Sequence, residues 1–398
     1  MGRLVALAIP PGPGWIEAIE RIWADGDAVA PLDDRLPPGE LDRVIEALRP
    51  GAVLDADGTI TTRPDGEPTD DGDALVIATS GTSGRPKAVV HTHDTIAASA
   101  RATSTALGVD PERDRWLACL PLAHIGGLAV VLRSMVTGTA VEVHPQFDPA
   151  ATVDALDRGA TLVSLVTRAL NQVPAERFRT VLVGGAAPPA TLDRNVVATY
   201  GMTETGSGVV YEGPGLGRTG PVLVDGLELR IGGTVITAAT GAAGGRGGTE
   251  TSPVDGEIHL RGPMLLRRYR NDPDPFTADG WFPTGDLGRL INGRLVVEGR
   301  RGDVIVTGGE KVWPEPVERL LAARPDVADV AVIGRPDPEW GHRVTAVVVP
   351  ETGLAAPSVE QLRDTVVAEL PVWAAPKAVE EIADIPRTSL GKIRRSEL

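Results

Sequence analysis

Six short β-type runs, ALVIATS (74–80), WLACLPL, AVEVHP, ATLVSLV, TVLVGG and NVVATYG, alternate with helical stretches between Ala74 and Gly201. Strands alternating with helices confine the chain to a mostly parallel sheet covered by its own crossover helices. Upstream, residues 15–48 carry helical periodicity. Trp15, Ile16, Ile19, Ile22 and Trp23 share one face, and LDRVIEALRPG repeats the pattern up to a stop at Pro50-Gly51. Residues 55–73 are acidic and turn-rich and read as a loop. From Gly208 to Val297 short β-type runs (LELRIGG, EIHLRG, RLVVEG) are divided by glycine turns, which predicts antiparallel structure, a small barrel packed on the α/β core. Residues 238–256 are glycine-rich with almost nothing apolar and predict a flexible surface loop. From Arg300 the order strand (DVIVTG), helix (PEPVERLLAA), strand (VADVAVIG), strand (RVTAVVVP), helix (SVEQLRDTVVAEL) describes a compact α+β unit.

The 398 residues carry 39 Lys plus Arg against 54 Asp plus Glu, a net charge of −15. A field of that sign repels phosphate backbones and anionic lipid, which argues against nucleic acid and membrane surfaces as partners and requires a local positive site for any anionic substrate. Cys119 is the only cysteine, so neither an intramolecular disulfide nor a cysteine zinc site is available, which fits a reducing cytoplasm. The run MGRLVALAIPPGPGW is short and broken by prolines, unlike a signal peptide, and no apolar run reaches the length of a membrane span.

Five segments carry chemistry. Thr79-Ser80-Gly81-Thr82-Ser83-Gly84-Arg85-Pro86-Lys87 follows a strand directly, with hydroxyls, glycines and a terminal lysine that suit a phosphate cradle. The spacing is not that of a Walker A loop, and a Ser/Gly-rich hairpin is the bland alternative. In Tyr200-Gly201-Met202-Thr203-Glu204-Thr205 the tyrosine can stack on a flat base and Glu204 can hold Mg²⁺, although a strand–Gly–helix start with Thr and Glu is also ordinary capping. Gly280–Gly288 (GWFPTGDLG) sets Asp286 between glycines, where it suits ribose hydroxyls or an Asx turn. Gly299-Arg300-Arg301-Gly302-Asp303 joins an arginine to a hinge-like Gly-Asp. Pro386–Lys392 (PRTSLGK) places a lysine in a glycine-containing tail loop, where solvent exposure is the plain alternative.

In this order the five segments resemble the adenylate-forming superfamily of acyl-CoA synthetases, peptide-synthetase adenylation domains and luciferases, from about Leu75 to Leu398. Within it, LPLAHIGGL (120–128) and GGEKVWP are most similar to the compact o-succinylbenzoate–CoA ligases of menaquinone biosynthesis. The resemblance implies a large N-terminal ATP- and acyl-binding domain (1–302) of helix-covered sheets with a barrel-like part, and a small mobile α+β domain (303–398). It implies ATP, Mg²⁺ and coenzyme A, an acyl-adenylate, a thioester product and a cytoplasmic enzyme for which a homodimer is possible. Residues 79–87 would hold the β- and γ-phosphates, Glu204 the Mg²⁺, and Thr203 the α-phosphate. Gly185, Ala186, Tyr200 and Gly201 would line the adenine and acyl slots. Asp286 and Arg300 would bind ribose, and Lys392 would bridge carboxylate and α-phosphate. Asp303 would be the hinge and Gly309 would approach the pantetheine channel. His124 matches a gate beside the acyl pocket or is a core-satisfied imidazole.

Three departures from the family stand out: Ala88 after the loop lysine, fourteen residues between Gly185 and Tyr200, and a short stretch before the phosphate loop. They bear on the acyl pocket, expected between LPLAHIGGL and SLVTRALNQV, with His124, Thr167, Arg168 and Asn171 as candidates for a substrate carboxylate. A ligase for an aryl, cinnamyl or medium-chain acid, a stand-alone adenylation domain feeding a carrier protein, and a non-catalytic nucleotide-binding module are the competing readings.

Overall fold

The computed structural model describes residues 1–79, 86–185, 191–217, 221–238, 254–291, 294–387 and 393–398. Two compact units result, one from residues 1–230 and 259–283, the other chiefly from 284–398.

The first unit holds two sheets. In the seven-stranded sheet Arg115–Ala118, Ala140–Val143, Leu162–Leu165, Thr180–Val183 and Val196–Met202 run parallel, as the alternating pattern predicts. Thr180–Val183, near the middle of the sheet, is buried along its whole length because both faces are covered. Leu117, Val163, Leu165, Val181, Val183 and Val196 form one core with Ala155, Leu156 and Phe178. Ser207–Glu212 and Val222–Leu223 complete the sheet antiparallel. In the crossover from Val183 to Val196, residues 184–185 and 191–195 are described and none of them is helical.

The other sheet corrects the sequence-based picture of the N-terminus. Gly2–Ala8, Ala28–Pro31 and Ala52–Asp55 are parallel strands, and Ala28–Pro31 divides the helical region into Gly14–Ala24 and Pro38–Leu48. The run LVAL is continuous rather than alternating because all four residues are buried, so no period marks it as a strand. The second helix ends where expected, with Arg49 at φ 47°, the only non-glycine residue in the left-handed region among those described. The expected loop 55–73 contains short strands, Ile60–Thr62 and Pro68–Thr69, whose pairing comes from neighbours rather than from local propensity. Asp73–Thr79, Lys87–Thr92 and Arg268–Tyr269 close the sheet, the last two antiparallel.

Between the sheets' last strands and the C-terminal region the pairing is antiparallel. Glu228–Arg230 lies against His259–Arg261, and Asp286–Ile291 against Arg294–Arg300. Most of the predicted glycine-rich loop, 238–256, lies outside the described residues.

In the second unit Val327–Asp337 and Gly341–Pro350 form a long hairpin, extended by Ile305–Thr307, Glu310–Val312 and the parallel strand Ala378–Glu381. Helices Pro314–Ala322 and Val359–Val367 supply Val317, Leu321, Leu362 and Val366 to one core with Val330, Val332, Val344, Ala346 and Val348. The alternate residues Ala331, Ile333 and Val347 pack with Ile385 on the other face. That two-sided burial explains the unbroken run VAVI at 330–333. Gly308 and Gly309, at φ 58° and 87°, form the two-residue turn between Thr307 and Glu310, a conformation open to few other residues. Among the described residues no helix is long and apolar enough to cross a membrane.

Candidate active site

In the first unit Thr79 and Lys87 occupy one rung of an antiparallel ladder, so the phosphate-loop segment leaves and re-enters the sheet at a single level. Ser80, Gly81, Thr82, Ser83 and Gly84 lie outside the described residues, as do Ala186 and Lys392. Lys87 Nζ sits 4.6 Å from the centre of the Tyr269 ring. The Tyr269 hydroxyl donates to Glu204 Oε1 at 2.8 Å, while the Glu204 carbonyl accepts from Leu266 N–H at 2.7 Å. Lysine, tyrosine and glutamate are therefore one connected group. Oε2 of Glu204 has no protein donor among the described residues, and an oxygen of this kind suits a hard cation such as Mg²⁺.

The turn bearing Thr203 and Glu204 is built by its own sequence. Thr205 Oγ1 accepts from Met202 N–H at 3.0 Å, closing a 3₁₀ turn over Thr203–Thr205. The register slips between Tyr200 and Gly201, where a Cβ at Gly201 would lie 2.2 Å from the Ser207 carbonyl oxygen. Glycine is required there by the close backbone approach. Gly185 ends the described part of the preceding strand connection at φ 83°. Behind the turn, fully buried His91 faces the Thr203 carbonyl with Nε2 at 2.7 Å and Thr95 Oγ1 with Nδ1 at 3.1 Å.

Of the acyl-pocket candidates, His124 precedes helix Ile125–Thr137, and its Nε2 lies 3.3 Å from Asp33 Oδ2. Burial opposes the charge on Asp33, but hydrogen bonds from His124 and from the Arg35 guanidinium and backbone prevail and hold its carboxyl well below the usual range. Thr167 keeps a buried hydroxyl without a partner, whereas Arg168 and Asn171 are exposed.

Among the described residues Arg133, midway along Ile125–Thr137 and 2 % exposed, is a buried cation. One amino group donates to Ser207 Oγ at 3.0 Å, and the guanidinium lies 4.7 Å from the Trp116 ring centre. Its Nε and Nη1 are buried without partners. Arg133 and His91 line a small cavity together with Ser99, Gly206 and apolar side chains that include Leu75, Ile96, Ile125 and Leu132. The signal in the sequence was an arginine inside the apolar run LAVVLRSMV; Asp33, His91 and Tyr269 carried none.

In the second unit Asp286 and Arg300, both expected at ribose, are ladder partners and an ion pair, with Arg300 Nε 2.9 Å from Asp286 Oδ1. Arg300 also donates to the Thr284 carbonyl at 2.8 Å, and Gly285 N–H to Glu257 Oε1 at 3.1 Å. Asp303 closes a 3₁₀ turn, with Oδ2 3.5 Å from an Arg395 amino group. Either side of the Lys392 segment is anchored. Arg387 bridges to Ile393 and donates to Asp329 at 2.6 Å, and Arg395 donates to both oxygens of Glu318.

Comparison with known proteins shows the family. The AMP-binding enzyme family matches residues 1–270, and its C-terminal domain matches 316–392. A protein described as a probable 2-succinylbenzoate–CoA ligase of Mycobacterium tuberculosis (strain CDC 1551 / Oshkosh) is 38% identical, over 84% of this chain and 85% of its own. An indoleacetate–CoA ligase of Aromatoleum aromaticum is 35% identical, over 81% of this chain and 66% of its own. The o-succinylbenzoate CoA synthetase of Bacillus subtilis, solved with its acyl-adenylate intermediate, superposes with a TM-score of 0.83 at 27% identity, covering 100% of this chain and 88% of that one. The same enzyme has been solved with ATP and magnesium ion. The chain belongs to the AMP-binding enzyme family.

Proposed function

We propose that this protein is an ATP-dependent, AMP-forming acid–CoA ligase that activates o-succinylbenzoate as its acyl-adenylate and passes the acyl group to coenzyme A. The observation that carries the reading is the group Lys87–Tyr269–Glu204, which sets one cation and one carboxylate at the mouth of the loop segment 79–87. A carboxylate is inert toward thiols because its oxygen is a poor leaving group. Attack of the acid on the α-phosphorus expels diphosphate and makes AMP the leaving group, which the CoA thiolate then displaces. Both steps move charge on phosphate oxygens, where fixed donors contribute most.

In this reading Lys87 and residues 79–84 neutralise the β- and γ-phosphates, Thr203 meets the α-phosphate, and Tyr200, Gly201, Gly185 and Ala186 line the base and acyl slots. Glu204 holds Mg²⁺, which supplies charge neutralisation of the phosphates when bound. Asp286 and Arg300 bind ribose as a pre-paired unit. The domain 303–398 pivots at Asp303, carrying Lys392 to the α-phosphate for adenylation and Gly309 toward pantetheine for thioester formation. The reaction takes place in the cytoplasm; a homodimer is compatible with it.

The acid is the finer part of the proposal. o-Succinylbenzoate keeps a second carboxylate, whose burial needs a counter-charge. Arg133, buried with two unpartnered nitrogens, supplies one better than exposed Arg168. His124 and Thr167 add donors. The 38% relative supports this acid, while the indoleacetate ligase keeps aryl acids in view. A panel of acids with ATP, Mg²⁺ and CoA, scored by AMP release, tests it. o-Succinylbenzoate is expected to lead; equal turnover of benzoate or a fatty acid would leave only the general ligase, and AMP release without thioester on free CoA would favour a carrier-protein loader.

A further inference from the structure

We infer that His91 is a positioning residue for the Glu204 carboxylate, acting through the Thr203 carbonyl; this rests on the adenylating function proposed above. His91 is fully buried in strand Lys87–Thr92, four residues from Lys87, and so belongs to the same rigid ladder as the loop lysine. Its Nε2–H donates to the Thr203 carbonyl at 2.7 Å. Thr203 lies 112 residues away in sequence, so this bond ties the two motif-bearing segments together directly. Nδ1 meets Thr95 Oγ1, which is itself fixed by the Thr92 N–H and carbonyl in the cap of the next helix. Turning the imidazole breaks both of its contacts, to Thr203 and to this cap.

Glu204 is held at three points that all trace to strand Lys87–Thr92. The first is His91, through Thr203. The second is the Leu266 N–H on the Glu204 carbonyl, next to Arg267, whose N–H donates to the Val90 carbonyl at 2.8 Å. The third is the Tyr269 hydroxyl on Oε1, with Tyr269 paired in register with Val89. Two of these act on backbone and one on the carboxylate, so removal of His91 releases the turn while leaving Tyr269 attached. Gly206, which ends the turn, packs with its Cα beside the imidazole: a Cβ there would sit 3.6 Å from Cε1. The ring therefore fills the space under the turn as well as bonding to it.

The function assigned is geometric. A carboxylate that must meet a metal held by triphosphate works only within a few tenths of an ångström of its place. His91→Leu keeps apolar volume and removes the donor. His91→Gln returns an N–H₂ near the position of Nε2. Acid-dependent ATP–diphosphate exchange is measured against Mg²⁺ concentration, beside thioester formation from supplied acyl-adenylate and the thermal midpoint. The expected result is that His91→Leu raises the Mg²⁺ half-saturation at least tenfold and lowers exchange, spares the thioester step, and that Gln recovers most of the loss.

If His91→Leu lowers both half-reactions equally at unchanged Mg²⁺ half-saturation, or if Gln behaves as Leu does, the residue is only structural and the inference fails. Should Leu fail to fold, Gln decides alone: near-wild-type Mg²⁺ dependence supports the donor, and a raised half-saturation in a stable Gln variant overturns it. Absence of acid-dependent exchange in the wild-type protein would overturn the ligase reading itself.

Discussion

Replacement of Arg133 by methionine should separate substrate recognition from stability in opposite directions. In the free protein the guanidinium is 2 % exposed, with Nε and Nη1 unpartnered. Each buried unpaired donor costs about 1–3 kcal/mol. Against this stand the bond to Ser207 Oγ, worth about 1 kcal/mol, and the Trp116 contact, about 1–2 kcal/mol. Methionine fills similar volume without charge, and removing a buried charge in favour of apolar packing is often neutral or stabilising. The free variant should therefore melt no lower than wild type, and up to a degree or two higher.

Binding should move the other way. Two charge-assisted bonds to a substrate carboxylate contribute roughly 3–5 kcal/mol together, or about 10²–10⁴-fold in kcat/KM. The assay is ATP–diphosphate exchange with o-succinylbenzoate and with its analogue in which the succinyl carboxylate is an ester. Wild type should prefer the dicarboxylate by that factor, and Arg133→Met should erase the preference by losing activity on the dicarboxylate alone. A variant that keeps the preference, or one that loses several degrees of Tm, refutes the assignment of Arg133 as an uncommitted cation.

Lys392→Ala should abolish adenylation by about two decades or more while sparing thioester formation from supplied acyl-adenylate, and equal loss in both would end the two-orientation scheme. Asp303→Pro, which fixes φ near −65°, should do the reverse, measured by the same pair of half-reactions. Asp33 has a carboxyl held well below its unfolded value, so its contribution to stability is complete above about pH 4 and is lost as pH falls through the folded value. Asp33→Asn should therefore lower Tm at pH 7 and flatten the acid limb of a Tm-against-pH curve; an unchanged limb would contradict the Asp33–His124–Arg35 cluster. Burial pushes the Cys119 thiol up to about 12, so a thiol reagent should label it only in denaturant, and rapid labelling of the native protein would contradict its burial.

Fold and site were legible in the sequence to different depths. The five parallel strands from Arg115 to Met202 were readable because their short β-type runs, most apolar where both faces are buried, alternate with helical stretches, and the loops between them carry turn residues. The second unit was readable for the same reason, and its short strands Glu310–Val312 and Ala378–Glu381 were missed because three or four residues carry no period. Gly2–Ala8 and Ala28–Pro31 escaped because one resembled a bare apolar run and the other sat inside a helical pattern. Motif chemistry, in Lys87, Glu204, Asp286 and Arg300, was visible because the residues that turn a backbone toward an anion lie close together in the chain.

What the sequence determined by itself is therefore whatever depends on neighbours: the strand–helix alternation, the glycine turns and the order of the motifs. The tertiary structure decided everything that depends on residues meeting across the chain. His91 meets Thr203, Asp33 meets His124, Tyr269 meets Glu204, and Arg133 lies buried beside Ser207 rather than in a solvated helix face. None of these pairs has a spacing that a period or motif could reveal, because the contact energy is indifferent to sequence separation once the sheets have closed. The neighbours so gathered change what each group can do: the Thr203 carbonyl makes a donor of His91, hydrogen bonds from His124 and Arg35 hold Asp33 ionised against its burial, and burial leaves Nε and Nη1 of Arg133 unpaired.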